Sequence, residues 1–282
     1  MSAIAAKFRE LRRRNEGALI AYVMAGDPAP KHTVKIVDAL VAGGADIVEL
    51  GIPFSDPIAD GPTLQRAAVR ALEAGTTPRK VFDVARAIRR AHDVPLVVMT
   101  YYNIVHQMGV EAFCSAAEQS GVNGVIAPDL PVEEAALYKE AATRYGLDTI
   151  FLAAPSTSEA RLEKLLNASS GFLYLVSANG VTGARETVQD ESIAFIKRTA
   201  SIIRGRAPLA VGFGLSLPSH VRQVIDNGAN AAVVGSRFAQ IVEQNLDDSD
   251  KMLKMLRQRA QMLKRSTLLS GATDVTHKRS RS

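Results

Sequence analysis

The stretch from Asp46 to Thr63 reads DIVELGIPFSDPIADGPT. Its short apolar run, residues 47–50, carries one carboxylate at Glu49, and the chain then enters a loop rich in glycine and proline that holds Asp56 and Asp60. A parallel strand buried on both faces reads as continuous Val, Ile and Leu, so an acidic residue inside one needs an explanation. The stretch therefore predicts a buried strand that ends in a loop with a chemical role.

The two acidic residues of greatest interest, Glu49 and Asp60, admit two interpretations. Burial raises the pKa of a carboxyl group toward neutrality, which suits general acid–base catalysis. On this interpretation, Glu49 at the end of the strand and Asp60 on the loop carry out the proton transfers of an enzyme. On the other, backbone amides satisfy a buried Glu49 and the aspartates only cap turns, as Asp commonly does.

Short apolar runs alternate with longer amphipathic runs along the whole chain. The predicted strands are 18–24, 47–50, 95–101, 124–127, 149–153, 172–177, 209–212 and 231–235. The predicted helices are 32–42, 79–91, 110–119, 133–145, 159–168, 192–203, 218–226 and 250–263. Such alternation indicates parallel strands joined by helical crossovers. About eight such units in 282 residues favour an α/β fold of the (β/α)8 TIM barrel type over an open doubly wound sheet.

The two chain ends are expected to differ. Ile4, Phe8 and Leu11 recur at helical spacing, so we expect an extra N-terminal helix that covers one end of the barrel. An Arg-rich transit peptide is the alternative, disfavoured because acidic residues are present and Ser is scarce. With no linker visible, we expect a single barrel domain over residues 1–265 and a basic, mobile tail over residues 266–282.

Charge and cysteine content limit the classes of partner. The net charge is +5, but residues 264–282 hold five basic residues and one acidic residue, so the body of the protein is nearly neutral. With no Trp in the chain either, we expect no nucleic-acid partner. No apolar run approaches the length of a membrane span, so we expect no membrane partner. The single cysteine, Cys114, fits a reducing compartment and is interpreted as a small buried hydrophobe.

Glycine-containing turns follow the last three predicted strands, with the sequences GVTG, GFG and GS. Glycine lets a backbone amide approach a ligand closely, and a helix N-terminus attracts anions. The loops after strands seven and eight commonly form a phosphate site in a TIM barrel. The residues expected to hold a phosphate are Gly183, Gly214, Gly235 and Ser236, the last also through its hydroxyl.

The sequence lacks the motifs that are typical of several other kinds of functional site. No dinucleotide fingerprint, P-loop or nucleophile elbow is present, and the five histidines are scattered, so we expect no metal site. No lysine ends a predicted strand, which disfavours Schiff-base chemistry. The candidate functional groups that remain are the two carboxylates and the predicted phosphate-binding turns. They suggest carbon–carbon or tautomeric chemistry on a phosphorylated small molecule, by proton transfer alone.

Several motifs occur together in one order. They are AGDP at 25–28, ELGIPFSDPIADGPTLQRA at 49–67, MTYYN at 99–103, DLPVEE at 129–134, GVTGAR at 180–185, GFG at 212–214 and GS at 235–236. In these motifs the chain resembles the tryptophan synthase alpha chain family, from about residue 18 to residue 263. Met24 and Asn179 depart from the residues usual in the family at those positions.

The resemblance implies a lyase that cleaves indole-3-glycerol phosphate to indole and D-glyceraldehyde 3-phosphate without a cofactor of its own. The family's catalytic carboxylates match Glu49, which acts near C3 and the side-chain hydroxyl, and Asp60, which takes the indole N–H proton. The pocket walls match Tyr22, Leu64, Tyr174, Thr182 and Phe213, and the phosphate contacts match Gly183, Gly214, Gly235 and Ser236. Lid loops match residues 55–62 and 183–190.

The resemblance also implies a partner, a tryptophan synthase beta chain that uses pyridoxal phosphate, in a cytoplasmic alpha2-beta2 heterotetramer. The loop around Asp56 would lie on the contact face with that partner. Three alternatives stay open: a freestanding lyase with the same chemistry, a catalytically idle activator paralogue, and a different phosphosugar barrel enzyme.

Tyr101 also lies near the end of a predicted strand. A place in the barrel core explains this tyrosine at least as well as a role in the site.

Overall fold

A parallel β-barrel forms the centre of the computed structural model, which describes residues 1–177, 187–212 and 214–269. The described strands are β1 (Ala18–Met24), β2 (Ile47–Gly51), β3 (Leu96–Met99), β4 (Gly124–Ile126), β5 (Asp148–Ile150), β6 (Leu152–Ala153), β7 (Leu173–Val176), β8 (Leu209–Gly212) and β9 (Ala231–Val234). Their order is β5-β4-β3-β2-β1-β9-β8-β7-β6. Because β5 and β6 are two parts of one strand interrupted at Phe151, this order closes into a barrel with eight strand positions. The predicted TIM barrel is confirmed.

Helices surround the barrel. Those described are α1 (Ala3–Arg13), α2 (Pro30–Ala42), α3 (Pro62–Glu73), α4 (Pro78–Ala91), α5 (Tyr102–Met108), α6 (Val110–Gln119), α7 (Ala136–Arg144), α8 (Glu159–Ala168), α9 (Asp190–Ile203), α10 (Pro218–Asp226), α11 (Ser236–Glu243) and α12 (Ser249–Arg265). The sequence did not predict α3, α5 or α11. In α3 the buried face consists of small alanines, and α5 and α11 have only 7 and 8 residues, which is short for a helix to be recognised from its apolar period. Within the described ranges, no helix is long and apolar enough to cross a membrane.

The predicted N-terminal helix closes one end of the barrel. Ile4, Phe8 and Leu11 of α1 are buried in the same cluster as the inward-facing residues Ile20, Ile47, Val97, Ile126, Ile150 and Phe172 of the strands. The rings of Phe8 and Phe172 meet edge to face, with centroids 6.0 Å apart. Since this end is filled with apolar side chains, open space in the barrel is confined to the opposite end.

The alternation of side chains along β2 places Glu49 inside the barrel. Residues two apart on a strand face the same side. Val48 and Leu50 pack in the core between the barrel and the helices, whereas Ile47 packs in the barrel interior. Glu49 is therefore one layer above Ile47, and its strand neighbour in register on β1 is Tyr22.

The end of the described chain folds back onto the barrel. The Lys264 Nζ lies 3.0 Å from Glu16 Oε2 and 2.9 Å from Asp46 Oδ2, and it donates to the Gly17 carbonyl. The Gly17 amide donates a hydrogen bond to the carbonyl of Thr267, and the Thr267 residue is fully buried. Residues 266–269 thus pair with the segment before β1, and the domain boundary expected after residue 265 stays a prediction. Residues 270–282 lie outside the described part of the chain. Cys114 is buried in α6, as predicted.

Candidate active site

A cavity of about 620 Å³ lies at the C-terminal ends of the strands. Glu49 and Tyr22 contribute to it from β2 and β1, and Met99, Ile126 and Tyr174 contribute from β3, β4 and β7. Loop residues that follow the strands complete the wall. The cavity thus occupies the end of the barrel that α1 leaves open, where TIM barrels carry their active sites.

Eight of the eleven residues predicted for the site line this single cavity. They are Tyr22, Glu49, Asp60, Leu64, Tyr174, Gly214, Gly235 and Ser236. The other three, Thr182, Gly183 and Phe213, lie outside the described residues. Of the two predicted lid loops, residues 55–62 are described, and residues 183–186 of the second are not.

The Glu49 carboxyl group is fully buried, and neither of its oxygens has a hydrogen-bond partner among the described residues. Burial, and secondarily the nearby charge of Asp60, raises the pKa of Glu49 to about 8. The alternative in which backbone amides satisfy a charged Glu49 does not fit these contacts. At neutral pH the side chain therefore holds a proton that it can give away.

Asp60 lies at the mouth of the cavity, directly before the start of α3. Gly61 caps the start of α3 with an extended backbone, and Pro62 occupies the first turn of the helix, a position that suits proline. The helix start therefore fixes the end of the loop that carries Asp60. Burial raises the pKa of Asp60 to about 6, and a hydrogen bond from Tyr101 opposes that rise. At neutral pH Asp60 is therefore mostly ionised while Glu49 is mostly neutral.

Tyr101, whose role the sequence left open between a site residue and a core aromatic, contacts Asp60 beside the cavity. Its hydroxyl donates to Asp60 Oδ2 at 3.4 Å and accepts from the Ala59 amide at 2.9 Å, while its ring stacks on Phe54 with centroids 5.2 Å apart. It therefore fixes the Asp60 loop rather than only filling the core. The sequence could have indicated this role, because Tyr101 lies just beyond the C-terminal end of β3, where TIM barrels carry their chemistry.

Tyr22 is buried and Tyr174 is partly buried in this cavity, and small residues make room for both. A Cβ atom at Gly51 would lie 2.2 Å from the Tyr22 hydroxyl, and one at Gly212 would lie 2.5 Å from the Tyr174 hydroxyl. Burial, together with the charges of Asp60 and Glu49, raises the pKa of Tyr22 and Tyr174 well above the usual value. Both hydroxyls therefore remain protonated and can act as neutral hydrogen-bond donors.

Another part of the cavity wall has the features of an anion site. Gly214 adopts a φ of +72°, a conformation that favours glycine. Gly235 and Ser236 form the start of α11, where the first backbone amides lack acceptors inside the helix. Much of the remaining wall is apolar, with Leu64, Met99, Ile126, Leu152 and Val233. In the described part of the chain, no cluster of three or more His, Cys, Asp or Glu residues could hold a metal ion.

Comparison with known proteins assigns the family. The family profile described as "Tryptophan synthase alpha chain" matches residues 8–268. The chain belongs to the tryptophan synthase alpha chain family. The alpha chain of Methanosarcina barkeri is 47% identical over 264 residues, which cover 94% of this chain and 98% of that relative. The alpha chain of Solibacter usitatus is 47% identical over 251 residues, covering 88% of this chain and 92% of that one.

Solved structures of this family are similar over the whole barrel. A chain from the tryptophan synthase a2b2 complex of Pyrococcus furiosus matches with a TM-score of 0.83 and 40% identity, covering 88% of this chain and 98% of that chain. A chain of Mycobacterium tuberculosis tryptophan synthase matches with a TM-score of 0.87 and 34% identity, covering 95% and 99%. The family resemblance seen in the sequence motifs is thus confirmed.

From the burial of Glu49 we predict how the free energy of unfolding depends on pH. The folded protein holds a proton on Glu49 up to a pH of about 8, whereas an unfolded chain releases it near 4.5. The free energy of unfolding should therefore fall as the pH rises between these values. In Glu49→Gln this pH-dependent loss should be absent, and the difference should be on the order of 3 kcal/mol between pH 5 and pH 8.

Urea unfolding of the wild type and of Glu49→Gln at several pH values would measure this difference. The control variant is Glu118→Gln, on the exposed face of α6. Its stability curve should run parallel to that of the wild type. Parallel curves for Glu49→Gln would show instead that Glu49 is ionised in the folded protein.

Proposed function

We propose that Glu49 and Asp60 catalyse the retro-aldol cleavage of indole-3-glycerol phosphate to indole and D-glyceraldehyde 3-phosphate. As a member of its family, the chain is a carbon–carbon lyase of tryptophan biosynthesis. The observation that carries the proposed roles is that both carboxyl groups line one cavity, with Glu49 fully buried and without a hydrogen-bond partner among the described residues. Burial raises the pKa of Glu49 to about 8 and that of Asp60 to about 6. Two carboxyl groups on either side of neutrality can serve as an acid and a base in one site.

In the proposed mechanism, the Asp60 carboxylate accepts the proton of the indole N–H. The electrons released into the ring make C3 basic, and neutral Glu49 gives its proton to C3. Glu49, now a carboxylate, takes the proton of the hydroxyl next to C3 as the carbon–carbon bond breaks. Asp60 returns its proton to nitrogen as aromatic indole forms. Every proton is accounted for, so the steps require no cofactor in this chain.

The rest of the cavity suits the two halves of this substrate. We propose that Tyr22, Leu64 and Tyr174 contact the indole half, together with Thr182 and Phe213. The phosphate would lie on the amides of Gly183, Gly214, Gly235 and Ser236. The apolar wall and the start of α11 support this orientation, because the indole is flat and apolar and the phosphate is an anion.

We also propose that the chain assembles with a beta chain that uses pyridoxal phosphate and receives the indole. The similar Pyrococcus furiosus chain belongs to an a2b2 complex that shows mutual activation, and we propose the same alpha2-beta2 assembly here. On the loop that carries Asp56, Ile58 is 83% exposed and also lines the cavity, so a partner docked on this loop would lie close to the site. A cytoplasmic location fits the single unpaired cysteine.

The proposed catalytic roles are tested by Glu49→Gln and Asp60→Asn. Each variant keeps the size of the side chain but removes the proton donor or acceptor, so steady-state cleavage should fall at least about 10²-fold. The controls are Glu118→Gln and Asp93→Asn, two exposed sites outside the cavity, which should cleave at the wild-type rate. Undiminished turnover in either active-site variant would refute the role given to that residue.

The partner is tested by measuring indole release with and without a beta chain. We expect the beta chain to increase the rate of indole release, because docking on the Asp56 loop should order the loop that carries Asp60. High activity alone, unchanged by the beta chain, would favour a freestanding lyase. An inactive chain that still activates the beta reaction would favour an idle activator paralogue.

A further inference from the structure

A network of ion pairs outside the cavity connects three elements of the site. Arg70, on α3, makes a two-pronged contact with Asp27: its Nε and Nη2 lie 2.7 and 2.9 Å from the two carboxylate oxygens. Its Nη1 lies 3.0 Å from Oε1 of Glu243, the last residue of α11. Arg66, one turn earlier on α3, makes a second two-pronged contact with Glu243, at 2.6 and 2.9 Å. We call these four residues the Arg70 cluster.

The inner part of this cluster is shielded from water. The Asp27 side chain is 3% exposed and that of Arg70 is 17% exposed, whereas Arg66 is 54% exposed. Charge-assisted, two-pronged contacts of this kind are strongly directional, and they are screened less when they are buried. The Arg70–Asp27 pair therefore fixes a geometry, and the outer Arg66 contributes less to it.

Each element that the cluster joins begins or ends at the site. The helix α3 starts two residues after Asp60 and carries Leu64. The helix α11 starts at Ser236, on the proposed phosphate side. Asp27 follows β1, which carries Tyr22. The described residues that line the cavity include none of the cluster. The cluster instead joins the middle of α3, at Arg66 and Arg70, to the last residue of α11, and the first residues of the two helices face the two halves of the substrate in the proposed orientation.

The apolar contact between α3 and α11 is formed by small side chains. The buried cluster here contains Ala67, Ala68 and Ala71 of α3 and Ala239 of α11, packed on Tyr22 and Met24 of β1. The larger residues Phe238, Ile241 and Val242 of α11 pack in the main core instead. They hold α11 on the barrel, whereas the alanines make few van der Waals contacts that would resist a slide of α3 along α11. The directional ion pairs are what can oppose such a slide, as buried polar groups fix register in other helical assemblies.

We infer that Arg70 is a positioning residue that sets the distance between Asp60 and the phosphate-holding start of α11. This inference rests on the proposed function, because the indole half and the phosphate of one substrate must reach both ends at once. A ligand that contacts only Asp60 or only the start of α11 should bind with unchanged affinity when the distance between them changes. A substrate that spans both ends should lose binding and alignment when the spacing changes.

The test compares spanning and non-spanning ligands on the full-length chain. In Arg70→Met, kcat/KM for indole-3-glycerol phosphate should fall roughly 10- to 100-fold. The inhibition constants of inorganic phosphate and of indole, each touching one end, should stay within about two-fold of the wild type. Arg70→Lys keeps the charge but loses the two-pronged contact, so it should restore only part of the activity.

The matched control is Arg206→Met. Arg206 makes the same two-pronged contact with Glu163, at 2.9 and 2.6 Å, but it joins α8 to the segment after α9, and its partners among the described residues lie outside the cavity. Its removal should leave all three constants unchanged. If Arg70→Met does not fold, Glu243→Gln serves as the second variant, since it weakens the contact to α11 and keeps the Arg70–Asp27 pair.

Two results would overturn the inference. Wild-type kcat/KM in the Arg70 and Glu243 variants would show that the spacing does not depend on the cluster. Equal weakening of phosphate, indole and the whole substrate would show a general structural role instead. A wild-type chain that neither cleaves the substrate nor binds phosphate would refute the proposed function itself, which is a distinguishable outcome.

Discussion

The structure depends on one unfavourable interaction, the complete burial of a carboxyl group on a strand of the barrel. Glu49 has no hydrogen-bond partner among the described residues, so burial opposes its ionisation and keeps it neutral at ordinary pH. The same burial that costs stability supplies a proton donor at neutral pH. Active sites often trade stability for function in this way. Asp60 differs because it is only partly buried and accepts a hydrogen bond from Tyr101.

The barrel accommodates this group because its two ends are packed differently. At one end, Ile4, Phe8 and Phe172 fill the interior, and the ion pairs of Lys264 tie the chain ends together. At the other end, Gly51 and Gly212 make room for the tyrosine hydroxyls beside the open cavity. Stability thus concentrates at the closed end and chemistry at the open end, which is the usual division in this fold.

Much of this arrangement could be predicted from the sequence, and the exceptions have physical reasons. The strands β1 and β8 have the predicted bounds, because apolar runs flanked by Gly and charged residues define a buried strand. Glu49 was recognisable because a charge interrupts such a run. The helices α3 and α11 were not, since the buried face of α3 consists of small alanines and α11 has only eight residues. Arg70 and its partners lie 43 and 173 residues apart along the chain, so only the fold brings them together.

The most direct test of this account is the protonation state of Glu49 in the resting protein. An infrared difference spectrum between the wild type and Glu49→Gln isolates the carbonyl stretch of a neutral carboxylic acid. The account predicts that this band is present at neutral pH and disappears with a midpoint near the pKa of about 8. A carboxylate band at neutral pH, with a midpoint near the ordinary value for glutamate, would contradict it.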